Sequence, residues 1–108
     1  MSQHTLGEFE ELVLLSVATQ HDQAYGVSIL ESLEDELGRK LNVSAIHVAL
    51  KRMEEKGFVK SRVGGITEDR GGRRKKFYVV TALGKKLLDT QHELRNSMYK
   101  RIPKISFS

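Results

Sequence analysis

The chain has no cysteine, no tryptophan and one proline, Pro103. It has no apolar run near the ~20 residues that a membrane span requires. The absence of cysteine excludes a disulfide framework and any cysteine-based zinc or redox site. It also fits a reducing compartment, so a cytoplasmic location is expected. The histidines His4, His21, His47 and His92 are scattered, with no two at metal-ligand spacing on one helix, so no metal is expected. No phosphate-cradling glycine motif is present, and no Ser/His/Asp or paired-carboxylate arrangement stands out. An enzyme is therefore the least favoured class, and no cofactor is expected. The first ten residues lack a basic segment leading into an apolar one, which argues against a signal peptide. No membrane association is expected.

What is present is a chain of 108 residues, long enough for one domain with its own core. Its charge is unevenly placed. Residues 1–56 carry 5 Lys/Arg against 10 Asp/Glu, and residues 57–108 carry 13 against 4. Such asymmetry in a small domain suggests one side that faces a polyanion. A solvated basic surface would look the same by charge alone.

Apolar spacing predicts a helix over Leu6–Gln20, with Phe9, Leu12, Val13, Ser16, Val17 and Gln20 on one side and acids in its first turns. A second helix is expected over Ala24–Leu37, stopped by Gly38, with an acidic outer face of Glu31, Glu34, Asp35 and Glu36 that phosphate would repel. Leu41–Val43 reads as a short strand. A third helix, Ser44–Lys56, is expected to be capped by Ser44 and ended by Gly57. Its inner face is Ile46, Ala49, Leu50 and Met53, and its outer face is Ser44, His47, Val48, Lys51 and Arg52. Strands are expected over Phe58–Val63 and Lys76–Thr81, joined by a glycine-rich basic loop. Thr81 can cap a last helix from Ala82 to about Arg101, some 30 Å long and too long to bury against its own domain.

The order of these elements is that of a winged helix-turn-helix, an α+β, mainly α fold. The expected division is a DNA-binding unit over 1–81 and a dimerisation helix with a short tail over 82–108. The third helix suits the major groove of double-stranded DNA, which admits an α-helix. Ser44, His47, Val48, Lys51 and Arg52 are the candidates for contact with bases or phosphates. The hairpin is the candidate wing, with Lys60, Arg62, Arg70, Arg73, Arg74, Lys75 and Lys76 suited to the backbone or a narrow minor groove. Leu87, Leu88, Gln91, Leu94 and Met98 form the seam expected to meet a second copy. The alternative is a protein-interaction or small-molecule-sensing module that uses this fold without direct promoter binding.

Four segments resemble the PadR family of bacterial transcriptional regulators: LGEFEELVLL (6–15), AYGVSIL (24–30), AIHVALKRMEEKGFV (45–59) and RGGRRKKFYVVTALGKKLL (70–88). The resemblance implies a winged helix, a homodimer held by the C-terminal helix, and usually repression of nearby promoters. It also leaves room for a small-molecule effector at the dimer interface. A single C-terminal helix is similar to the short subgroup of the family. One departure is His47, where the resemblance leads one to expect tyrosine; histidine keeps the hydrogen bond with less apolar area.

Overall fold

The computed structural model describes residues 6–66 and 74–108. Its elements are α1 (Glu8–Gln20), a single 3-10 turn (His21–Gln23), β1 (Ala24–Tyr25), α2 (Gly26–Leu37), α3 (Val43–Glu55), β2 (Val59–Ile66), β3 (Arg74–Val80) and α4 (Ala82–Lys100). The fold is mainly helical, with one antiparallel sheet in the order β1-β3-β2. No helix among the described residues is long and apolar enough to cross a membrane.

The first three helices enclose the core. Val13, Leu14 and Val17 of α1, Ile29 and Leu33 of α2, and Ile46, Ala49, Leu50 and Met53 of α3 are all buried. The four α3 residues are the inner face expected from helical spacing. Phe58, Val59 and Tyr78 close the core from the hairpin, and Leu88 closes it from α4.

Both glycine stops hold. Gly38 takes a left-handed conformation with φ of 68°, and its N–H donates to the carbonyl of Glu34 at 2.9 Å. Gly57 has φ of 83°, and the chain beyond it turns back so that the Phe58 N–H donates to the Met53 carbonyl at 2.8 Å. Glycine adopts such angles without the Cβ penalty that other residues meet.

Two local expectations are corrected. The short strand lies not at 41–43 but at Ala24–Tyr25, ahead of α2, where Ala24 pairs with Tyr78 and Tyr25 with Phe77. Residues 41–43 instead lead into a helix. The Leu41 N–H donates to the Glu34 carboxylate at 2.8 Å, and Val43 is already helical. For the same reason the cap of α3 is Asn42 rather than Ser44. The Asn42 side-chain oxygen accepts from the Ser44 N–H at 2.8 Å, which satisfies a donor the first turn would otherwise leave open. The strands of the hairpin also reach further than the alternation suggested, with a register irregularity between Val63 and Ile66.

Thr81 joins three elements. Its hydroxyl accepts from the Gly84 N–H at 3.1 Å, which caps α4 as expected, and donates to the Gly57 carbonyl at 2.6 Å, which ties that cap to the end of α3. The first turn of α4 approaches the hairpin so closely that a Cβ on Gly84 would collide with the carbonyl oxygen of Phe58. The remainder of α4 leaves the body of the domain. Every residue from His92 to Ser108 is exposed.

Candidate nucleic-acid interface

Helix α3 presents its polar side outward because its apolar quartet is fixed inward. Ser44, His47, Val48, Lys51 and Arg52 are all exposed, and even the apolar Val48 shows 52% of its surface. Asn42 takes over the cap, so the Ser44 hydroxyl is not needed to hold the helix start. Arg52 lies 3.9 Å from the Glu10 carboxylate of α1. An exposed ion pair at that distance contributes little and can be exchanged for a phosphate.

A groove lies on each side of this helix. The one toward the hairpin, of about 640 Å³, is bounded by Tyr25, Gly26, His47, Lys51, Lys75 and Tyr78. His47 lies over the start of α2, and Lys75 Nζ stands 4.1 Å from the centre of the Tyr25 ring. The groove toward α1, of about 600 Å³, sets Ser44, Val48 and Arg52 opposite Phe9, Glu8 and Glu10. The hairpin-side groove carries Lys51, Lys75 and Lys76 together with Glu54 and Glu55, and the α1-side groove carries Arg52 with Glu8 and Glu10.

Glu54, one turn beyond Lys51, was not singled out by sequence spacing. Its carboxylate accepts from the Ser61 hydroxyl at 2.6 Å and lies 3.6 Å from Lys76 Nζ. One acid thus links the end of α3 to both strands of the hairpin. Its position near the end of α3, three residues after Lys51, was the available signal, but its partners depend on strand register. Beside it, burial pushes the Tyr78 hydroxyl above its ordinary pKa, with Lys76 acting in the opposite direction.

The expected wing residues divide into groups. Lys60 is exposed on β2. Lys75 and Lys76 face Tyr25 and Glu54, as above. Arg62 donates to the Asp22 carbonyl at 3.3 Å and stacks 4.7 Å above the Phe77 ring, so its fork is engaged within the chain. Arg74 opens β3. Arg70 and Arg73 lie outside the described residues, as does the Arg74 side chain.

The expected seam also divides. Leu88 is buried in the chain's own core, Leu87 packs against that core, and the Gln91 side-chain oxygen accepts from the Leu6 N–H at 2.9 Å. Leu94 and Met98 are 61% and 56% exposed. Arg95 donates to the Glu11 carboxylate of α1 at 3.1 Å, beyond the buried part of α4.

Among the described residues no group of three or more His, Cys, Asp or Glu side chains is arranged to hold a metal ion. A model of the PadR-like family of transcriptional regulators matches residues 14–90. The chain belongs to this family.

The match runs from the second half of α1 to the middle of α4 and includes every residue named in the groove toward the hairpin. Solved structures agree with it. A PadR family transcription regulator of Clostridium difficile is 28% identical, with a TM-score of 0.66 over 85% of this chain and 92% of that one. The protein smu.1704 of Streptococcus mutans is also 28% identical, with a TM-score of 0.65 over 92% and 87%. A PadR-like transcriptional regulator of Bacillus cereus shares the fold at 17% identity, with a TM-score of 0.69 over 85% and 84%. No curated protein sequence matches the chain. The PadR-like winged helix is a DNA-binding fold of transcriptional regulators.

Proposed function

We propose that this PadR-like chain is a homodimeric repressor that binds double-stranded DNA in a sequence-specific manner. Helix α3 enters the major groove, and the hairpin lies on the backbone or in the adjacent minor groove. The observation that carries this reading is the outward side of α3. Ser44, His47, Val48 and Lys51 are exposed together, and the neighbouring hairpin adds Lys75 and Lys76. An exposed stripe of hydrogen-bonding, cationic and one apolar side chain matches what base edges, phosphates and a thymine methyl offer.

The dimer is assigned to the far half of α4. Leu94 and Met98 are apolar, exposed and one helical turn apart, and Tyr99 and Ile102 extend the same helix end. The unit over 1–81 binds DNA in this reading, and 82–108 supplies the contact between copies. Two recognition helices then address half-sites about one helical turn apart, roughly 34 Å.

A binding titration against salt tests the electrostatic part. With three to five phosphate contacts per subunit, log affinity against log salt has a slope of about −5 to −9. Affinity independent of salt would contradict it.

One observation favours an added sensing role. A partly apolar depression of about 560 Å³ at the end of α4, lined by His92, Arg95, Asn96, Met98, Tyr99 and Ile102, shares Met98, Tyr99 and Ile102 with the proposed seam. An effector at the dimer interface would occupy it. Thermal shifts with small aromatic compounds that disappear in His92→Ala, while the dimer persists, support this role, and shifts unaffected by that change oppose it.

A further inference from the structure

Arg62 belongs by charge to the basic hairpin, but its surroundings give it a different task. Its Nη2 donates to the backbone carbonyl of Asp22, 40 residues away and 3.3 Å distant. In the sheet order β1-β3-β2, strand β2 does not touch β1, and Asp22 lies just ahead of β1. The Arg62 side chain therefore reaches across β3. It crosses over Phe77, its direct partner in the β2–β3 register, with the guanidinium carbon 4.7 Å from the ring centre.

Phe77 in turn meets Tyr25 edge to face, with ring centres 5.7 Å apart and planes at 69°. Lys75 Nζ closes the row at 4.1 Å from the Tyr25 ring. A cation, two rings and a second cation thus run across all three strands. They share one face, since Tyr25 and Arg62 both pair with Phe77 and Lys75 lies two residues before it. The opposite face carries Ser61 and Tyr78, toward α3. Gly64 makes the row possible, because the Phe77 ring covers it and a Cβ there would collide with ring carbons Cδ2 and Cε2. The tie matters because β1 pairs with β3 through only two residue positions.

We propose that Arg62 is a positioning residue for the wing, not a phosphate ligand. By clamping β2 to the turn at Asp22 through Phe77, it sets the orientation of the β2–β3 hairpin relative to β1 and that turn. The inference rests on the reading that the hairpin meets DNA.

The planar fork stacks on a ring and donates to a carbonyl together, which an ammonium group cannot reproduce. Arg62→Lys keeps the charge and loses this geometry. The test uses full-length protein and a fluorescein-labelled, mixed-sequence duplex of about 30 base pairs, long enough for two half-sites. Binding is read by anisotropy, and folding by thermal melting. Arg62→Lys and Arg62→Gln are each expected to weaken binding about tenfold, and neither to weaken it further in an Arg73→Ala/Arg74→Ala background. Gly64→Ala, which displaces Phe77 without changing charge, is expected to show the same pattern. Because Arg62→Lys alters only an exposed side chain, it keeps the test available if the other variants do not fold.

Full affinity in Arg62→Lys would overturn the proposal. So would an Arg62→Gln loss that persists undiminished in the Arg73→Ala/Arg74→Ala background, since that outcome makes Arg62 a direct ligand. If Arg73→Ala/Arg74→Ala alone leaves affinity unchanged, the wing reading itself fails and takes this inference with it.

Discussion

His47 rests against Gly26, where an added Cβ would stand 2.8 Å from the imidazole Cε1. The contact joins α3 to the first residue of α2. It also defines where the His47 ring lies within the groove toward the hairpin. Gly26 has no positive φ, so the absence of a side chain there makes room for the ring and meets no backbone demand.

Gly26→Ala is expected to separate stability from binding. Alanine at the start of a helix favours folding by up to about 1 kcal/mol relative to glycine, and a mobile ring can move aside at small cost. The melting temperature should stay level or rise. Affinity for a selected site should fall, because His47 is displaced. A variant that binds as well as the parent would remove His47 from the interface.

His47→Ala and Lys51→Ala are expected to weaken binding to a selected site more than binding to unrelated DNA. A lost base contact costs about 1–3 kcal/mol on the specific complex alone. Competition titrations with both duplexes measure the two losses. Equal losses would reduce both residues to general electrostatic contacts.

Much of this candidate interface follows from local pattern, and the rest does not. Helical periodicity is sufficient to place Ile46, Ala49, Leu50 and Met53 inside, and therefore Ser44, His47, Val48 and Lys51 outside. Gly38, Gly57 and Thr81 mark boundaries because their backbone roles are local. Strand β1 is different. Ala24 and Tyr25 are extended because β3, more than 50 residues later, offers a pairing edge, and nothing adjacent in the chain signals it. The cap of α3 fell on Asn42 instead of Ser44 because two good capping residues lie two positions apart, and packing decides which one starts the helix. Arg62 and Lys76 show the same limit for charge. Composition makes them basic, but only register brings one to Asp22 and Phe77 and the other to Glu54.

Gly84→Ala should damage the fold. The added Cβ meets the Phe58 carbonyl oxygen, a backbone atom with little freedom to move, and also the Val80 side chain. Overpacking of this kind costs about 1–3 kcal/mol. Denaturant unfolding should show a lower midpoint with the slope retained. An unchanged midpoint would mean that α4 can shift along the hairpin without penalty.

Leu94→Asp is expected to convert the proposed dimer to a monomer while leaving the domain folded. Leu94 is 61% exposed in the single chain, so a carboxylate there disturbs no core. Opposed to its counterpart in a dimer, it would place two like charges in an apolar seam. Light-scattering mass should halve, and the circular dichroism spectrum should persist. A dimer that survives would move the interface away from the far half of α4.

The central claim is that two copies of α3 read a DNA sequence. Repeated selection of bound duplexes from a random-sequence pool by the purified full-length protein tests it most directly. The expected result is one enriched site with two symmetric half-sites spaced about one helical turn, roughly 34 Å. His47→Ala should then change the bases preferred within each half-site. A pool that stays unenriched after repeated rounds would contradict sequence-specific recognition and favour a winged helix that serves protein contacts instead.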